Sequence, residues 1–228
     1  MDSRKKTARL AGFTYLIVIL TGILYLQYIP SQLKIRGNIP KLMQDIPAFE
    51  RIFKLGILAE ITCWVFFLIL PIILYRLFKP VNELWAKMMV VFAIVQVPIS
   101  FMNILNKLAI LSLMSDTQYL KIYSMDQLHS QVLFYLNLYH QGNLINHVFW
   151  GLWLLPFGYL VYRSQFLPKI LGILLIAGCF GYVIDFLGTF LFPGYDDTAI
   201  PNYIILPASI GEIGICLWMM IVGVKNNV

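Results

Sequence analysis

Long apolar runs separated by short polar connections dominate the amino-acid sequence. The runs show neither the alternation of a half-buried β-strand nor the heptad spacing of a coiled coil, and each is long enough to cross a bilayer as a helix. They predict an all-α membrane protein, a bundle of about six transmembrane helices that forms one polytopic domain over residues 1–228. The predicted spans are Leu10–Ile29, Gly56–Leu77, Leu84–Leu113, Leu144–Tyr162, Ile170–Leu191 and Tyr203–Val224.

Three features of the pattern predict departures from simple straight spans. Pro98 lies near the middle of the third span, which is longer than a bilayer requires, so this helix is expected to tilt or kink. The segment Gln131–His140 places apolar residues near one helical face and predicts a short interfacial helix, which ends in a break at Gly142. The segment Pro30–Arg51 mixes basic and apolar residues and is expected to lie along the outer headgroups.

Composition strengthens the membrane assignment. Of the 228 residues, 60% are hydrophobic and 12% are charged, whereas soluble domains carry about 25% charged residues. The net charge of +6 comes from basic residues that flank the apolar runs. This pattern indicates the lipid bilayer as partner, with no nucleic acid. Cys63, Cys179 and Cys216 lie inside apolar runs and are interpreted as small packing residues.

The distribution of Lys and Arg predicts the orientation in the membrane. With the N-terminus inside, ten of these residues fall on the cytoplasmic side and six on the outer side, which favours cytoplasmic termini. The cytoplasmic set is Arg4, Lys5, Lys6, Arg9, Arg76, Lys79, Lys87, Arg163, Lys169 and Lys225, and the outer set is Lys34, Arg36, Lys41, Arg51, Lys54 and Lys121. The first run is as long as a span and no small-residue cleavage site follows it, so we expect a retained anchor helix in a multi-pass protein of the cell membrane.

Polar residues inside the predicted spans indicate a candidate binding site. The set consists of Glu60, Asn103, Asn106, Lys107, His147, Asp185 and Glu212. Four of them, on four different spans, lie 16 residues from a cytoplasmic basic residue, as Glu60 does from Arg76. This separation corresponds to about 24 Å of helix. Because a charged side chain facing lipid at depth costs about 2.5–3.5 kcal/mol, the set is expected to face the interior, in the outer half of the bilayer.

The charge of this predicted layer is unbalanced. Three members of the set are acidic, and Lys107 is its one permanently basic member. Either some of the carboxyls are protonated, or a cation completes the site. His147 with neighbouring carboxylates would offer suitable metal ligands, but the sequence has no His-x-x-x-His pair. We therefore assign no metal site, and the sequence leaves the cofactor unknown.

Several short motifs resemble those of a known family. They are Arg9-x-Ala11-Gly12-x-x-Tyr15, Leu74-Tyr75, Lys79-Pro80-Val81-Asn82, Gly158-Tyr159-Leu160-x-Tyr162-Arg163-Ser164, Phe166-Leu167-Pro168-Lys169-Ile170-Leu171-Gly172, Gly181-Tyr182-x-x-Asp185 and Leu206-Pro207-Ala208-x-x-Gly211-Glu212. Together they cover nearly the whole chain and resemble the prokaryotic integral-membrane family catalogued as domain of unknown function 4386. The resemblance implies a prokaryotic multi-span membrane protein, and it implies no activity, substrate or catalytic residue.

Three classes of function fit these observations. The first is binding or transport of a small molecule, ion or proton through the polar layer, favoured by the acid excess and by a weak repeat in which Pro71 and Pro156 each precede a Tyr-Arg pair. The second is an intramembrane enzyme, metal-dependent or carboxylate-based, acting on a lipid-borne substrate, for which no nucleophile motif is recognisable. The third is a structural or signalling protein whose polar residues only fix helix packing. We favour the first.

Overall fold

A computed structural model describes residues 3–33, 46–114 and 122–225 of the chain. Within these ranges, six helices are long and apolar enough to cross a membrane. We number the main helices α1 (Ser3–Ile23), α2 (Ile46–Phe78), α3 (Glu83–Leu113), α4 (Met125–Arg163), α5 (Lys169–Leu191) and α6 (Leu206–Ile221). The prediction of an all-α membrane protein with six spanning helices is confirmed.

Short elements extend the first and last of these helices. α1 continues through a π-helical turn, Leu24–Tyr28, into the short helix Ile29–Leu33. The connection between α5 and α6 contains a 3₁₀ turn, Tyr195–Asp197, and a short helix, Ile200–Ile204. The last predicted span is therefore interrupted by one turn residue, Ile205, close to its start.

Large apolar side chains are exposed along all six helices. One example from each helix in order is Leu10, Leu58, Val91, Ile145, Ile184 and Ile210, each at least 47% exposed. Such continuous apolar exposure is unfavourable in water and is the surface that a bilayer covers. The exterior of the bundle thus contacts lipid, as the composition predicts.

The six helices form a closed ring in chain order. Each helix packs against the next one along the chain, and α6 packs back against α1. At this seam a side chain at Gly12 would overlap the backbone of Met220, and the Arg9 guanidinium donates a hydrogen bond to the Ile221 carbonyl at 3.2 Å. Because the number of crossings is even, the start of α1 and the end of α6 lie on the same side of the bundle. We name the opposite side of the bundle the far end.

The half of the ring nearer the termini has a solid aromatic core. Trp153 stacks on Phe157 with ring centroids 5.1 Å apart, and it meets Phe67 edge-on at the same separation. Tyr15 completes the cluster, 6.0 Å from Trp153. Two cavities lie beyond these rings, one in the middle of the bundle and one at its far end.

α4 corrects one prediction made from the sequence. It runs unbroken for 39 residues through Gly142, so the expected break and separate interfacial helix are wrong. A side chain at position 142 would overlap the Asn103 amide, so this glycine permits a close approach of α3 and does not end a helix. At about 1.5 Å per residue α4 is about 58 Å long, and its first part extends beyond a bilayer core of about 30 Å.

Two further expectations concern the ends and the middle of other helices. α2 begins at Ile46, so the last part of the segment Pro30–Arg51 is helix continuous with the second span. Residues 34–45 of that segment lie outside the described residues. α3 remains helical on both sides of Pro98.

Candidate functional site

A wide cavity of about 1120 Å³ occupies the far end of the ring. Every helix contributes to its wall, either directly or through the turn that follows it. Representative wall residues, in chain order, are Tyr25, Gly56, Lys107, His147, Asp185 and Ser209. The wall also includes Asp196 and Asn202 from the connection between α5 and α6, which places the cavity next to the far-end surface.

A buried ion pair lies on one side of the wide cavity. Lys107 Nζ donates to Glu60 Oε2 at 2.6 Å, and the Tyr139 hydroxyl donates to Glu60 Oε1 at 2.9 Å. The Lys107 ammonium also lies 4.0 Å from the ring centroid of Tyr139 and 5.4 Å from that of Tyr25. Both carboxylate oxygens of Glu60 are therefore satisfied, and the two charges cancel inside the wall.

The two asparagines of the predicted set brace this side of the cavity. Asn103 Nδ2 donates to the Tyr139 carbonyl at 3.0 Å and to Asn143 Oδ1 at 3.1 Å. Asn106 Nδ2 donates to Asn103 Oδ1 at 3.1 Å. These bonds tie α3 to the middle of α4 and hold Tyr139 in position to reach Glu60.

A second polar pair lies on α4 and α5. His147 Nδ1 lies 2.9 Å from Asp185 Oδ2, and the His147 ring packs 4.8 Å from Trp150 and 5.6 Å from Tyr182. Each helix presents an aromatic residue three positions from its polar residue, so the aromatic ring and the polar group share one helix face. Asp185 is 3% exposed, and its other oxygen, Oδ1, has no hydrogen-bond partner among the described residues.

The connection after α5 folds back over this pair. A side chain at Gly188 would overlap the Tyr195 ring, so the glycine allows Tyr195 to lie directly on the helix one turn beyond Asp185. Burial raises the pKa of Tyr195, and the charge of Asp185, the proximity of the Tyr195 hydroxyl to that carboxylate and the charge of Asp196 raise it further. The Tyr195 hydroxyl thus lies close to Asp185, although neither it nor Asp185 Oδ1 makes a hydrogen bond of ordinary geometry among the described residues. Asp196 accepts a hydrogen bond from Thr189 Oγ1 at 2.6 Å. A second carboxylate is thereby held at the cavity wall.

A narrow cavity of about 320 Å³ adjoins the wide one in the middle of the bundle. Trp150, Tyr182 and Tyr25 line both cavities and separate them. Glu212 lines only the narrow cavity, where its Oε1 accepts a hydrogen bond from the Tyr15 hydroxyl at 2.6 Å. Glu212 thus lies in a different chamber from Asp185.

The structure brings part of the predicted set together. Lys107, His147 and Asp185 line the wide cavity, Glu60 lies behind Lys107, and Asn103 and Asn106 brace the same wall, whereas Glu212 lies apart. That these residues bind a ligand stays a prediction. Across the ranges that the structure describes, no group of three or more His, Cys, Asp or Glu residues is placed to hold a metal ion.

Sequence reasoning missed several polar residues of the interior. Gln96 is 0% exposed, and neither its amide nitrogen nor its amide oxygen finds a partner in the described part of the chain. The indole nitrogen of Trp64 is likewise buried and without an acceptor there. An amide inside an apolar run was visible in the sequence at Gln96, but its missing partners follow only from the packing.

The ring of six helices around polar cavities defines a polytopic α-helical membrane protein. The chain belongs to the family described as "Domain of unknown function (DUF4386)", whose model matches residues 10–223, and the resemblance seen in the motifs is thereby confirmed. An "Uncharacterized protein" of Archaeoglobus fulgidus is 36% identical over 81 residues, which is 36% of this chain and 46% of that protein. The similarity thus spans about half of that relative. No solved structure matches the chain.

Proposed function

We propose that the protein binds a small organic cation in the wide cavity, as the first step of carrying it across the membrane, with Asp185 as the charged ligand. The observation that carries this proposal is the Oδ1 atom of Asp185, a buried residue that lines the cavity: Oδ1 makes no hydrogen bond of ordinary geometry to a described residue, although the Tyr195 hydroxyl lies near this carboxylate. A buried acceptor left without a donor costs about 1–3 kcal/mol, and more when it is charged. An ammonium group in the cavity would remove that cost.

The aromatic rings near Asp185 support a cation. Trp150 and Tyr182 line the cavity and flank the His147 ring that holds the other Asp185 oxygen. The face of an aromatic ring attracts a cation by about 0.5–2 kcal/mol, depending on how far the cation is desolvated. A carboxylate with adjacent rings is the combination expected for an organic cation rather than for a bare metal ion.

The charge of the cavity wall has the sign that the proposal requires. Lys107 is neutralised by Glu60 at 2.6 Å. Among the described residues, the carboxylates of Asp185 and Asp196 have histidines and no permanent cation as ion-pair partners. Ligand pockets usually measure about 300–1000 Å³. The wide cavity, at about 1120 Å³, has room for an organic cation together with water.

Binding of cyclohexylammonium and of the uncharged, similarly shaped cyclohexanol tests the proposal. With purified protein in lipid nanodiscs at pH 7, calorimetry should detect the cation and show much weaker binding of the alcohol. Asp185→Asn should weaken cation binding by roughly 10–100-fold, since a hydrogen bond to a charged group contributes about 1.5–3 kcal/mol. Asp126→Asn is the matched control, because Asp126 is exposed at the start of α4.

Uptake of labelled cyclohexylammonium into proteoliposomes then tests the transport step. Wild-type protein and Asp126→Asn should take up the cation, and Asp185→Asn should not. Equal affinities of Asp185→Asn and wild type for the cation, or equal binding of the alcohol and the cation, would refute the assignment of Asp185. Binding without any uptake would limit the function to recognition and would refute the carrier.

A further inference from the structure

The narrow cavity has the size and the lining of a small-molecule site. Its volume of about 320 Å³ falls within the usual range for ligand pockets. Aromatic side chains form much of its wall, namely Tyr15, Phe67, Trp150, Trp153 and Tyr182. Such a wall suits a flat ring that can stack or pack edge-on against its neighbours.

Two buried polar side chains border this cavity without hydrogen-bond partners in the described part of the chain. Gln96 is fully buried, and both polar atoms of its amide lack hydrogen bonds to any described residue. Trp64 is 3% exposed, and its indole N–H likewise makes no hydrogen bond to a described residue. The large majority of buried polar side-chain atoms in proteins are hydrogen-bonded. The two donors at this cavity, the Gln96 amide N–H group and the Trp64 indole N–H, therefore indicate an occupant that bears acceptors, and a water molecule beside the occupant would donate to the Gln96 amide oxygen.

The cavity also reaches the lipid-facing side of the bundle. α1 and α6 touch closely at Gly12, but ten residues further along α1 a side chain at Gly22 would meet nothing within 4 Å. Gly22 lines the narrow cavity, and so do Ile23 and Ile213, each of which is 43% exposed. The two helices thus leave an apolar opening between them at the level of the cavity.

We propose that the narrow cavity binds a lipid-soluble molecule whose flat conjugated ring bears carbonyl oxygens, as in a quinone, and which enters from the bilayer between α1 and α6. The carbonyl oxygens would accept hydrogen bonds from Gln96 and Trp64 after these side chains turn toward the occupant, since their polar atoms are covered in the structure, and the ring would pack against the aromatic wall. An apolar tail would remain in the opening beside Gly22. This site shares Trp150 and Tyr182 with the proposed cation site but uses different polar groups, because Asp185 lines the wide cavity whereas Gln96 and Trp64 line the narrow one.

Quenching of tryptophan fluorescence by decylubiquinone tests the site, because Trp64, Trp150 and Trp153 all line the cavity. Full-length protein in nanodiscs should show saturable quenching that decanol does not compete away. Gln96→Leu should weaken quinone binding about 10-fold, as expected for the loss of a hydrogen bond. The same variant should melt no lower than wild type, since it removes polar atoms that have no partner in the described structure.

Gly22→Leu should also weaken or slow binding, because the new side chain occupies the opening. Val91→Leu, on the lipid-facing side of α3, is its control and should bind as wild type does. If Gln96→Leu does not fold, Trp64→Phe removes the indole donor while keeping the ring. Quenching that does not saturate, or equal affinities of wild type and these donor variants, would overturn the proposal. Asp185→Asn should leave quinone binding unchanged, so failure of the cation proposal is distinguishable from failure of this one.

Discussion

Replacing Lys107 by Met removes the positive member of the buried pair with Glu60 and keeps much of the side-chain volume. At a separation of 2.6 Å, two unit charges attract by about 6 kcal/mol when the effective dielectric constant is about 20. Desolvation of the two ions offsets most of this attraction, so the intact pair contributes little net stability. The variant loses the attraction but still buries the Glu60 carboxylate, a change that typically costs about 3–5 kcal/mol. We therefore expect Lys107→Met to be destabilised by about 3–4 kcal/mol at pH 7, because the Glu60 carboxylate stays buried without its cation.

A double-mutant cycle isolates the pair. Glu60→Gln combined with Lys107→Met leaves no buried charge at this position, and the Tyr139 hydroxyl keeps an acceptor, so the double variant should lie within about 1 kcal/mol of wild type. The measurement is thermal unfolding of the four proteins in detergent at pH 7. Lys54→Met, which breaks an exposed pair with Glu50, is the control and should show little change. Additive effects of the two single changes, or a Lys107→Met cost below about 1 kcal/mol, would refute the reasoning.

Two other predictions concern topology and packing. Reporter fusions should place both termini in the cytoplasm and the connection around Asp196 outside, as the Lys and Arg distribution indicates. If both termini were found outside, the far end of the bundle would face the cytoplasm, and the predicted orientation would be wrong. Gly142→Ala should destabilise the protein by about 1–3 kcal/mol because its methyl group overlaps the Asn103 amide, whereas Gly22→Ala should be neutral or stabilising by up to about 1 kcal/mol. Thermal unfolding of both variants checks this, and equal effects would show that the α3–α4 contact is not tightly packed.

The sequence was sufficient for the number and the type of the helices, since each depends on one long apolar run. It was not sufficient for their ends where a polar stretch continues a helix beyond the bilayer. The first part of α4 mixes polar and apolar residues, so no long apolar run marks its start, although the capping box formed by Ser124 and Gln127 does. Gly142 was misread because a glycine that breaks a helix and one that admits a neighbouring side chain look the same in a sequence.

The candidate site was predictable in its depth but not in its pairings. Helical rise places Glu60 and Asp185 at similar levels, and both lie in the far half of the ring. Which partner each acid finds depends on helix order and rotation around the ring. Adjacent α4 and α5 allow His147 to meet Asp185, and adjacent α2 and α3 allow Lys107 to meet Glu60. The contact of the Tyr195 ring with Gly188 depends on the path of the connection between α5 and α6, which the pattern of apolar residues does not specify.

The seam between α1 and α6 has a consequence for how the protein is made. Tyr15 and Glu212, which are hydrogen-bonded across this seam, are 197 positions apart in the chain. α1 is synthesised long before α6. When the first five helices have been made, the ring is still open, and the polar groups at the seam face lipid or the insertion machinery. Only insertion of α6 gives Tyr15 its acceptor and closes the narrow cavity on its last side. Insertion of α6 is therefore the step that completes the bundle. Chains that end before α6 should be degraded by quality-control proteases.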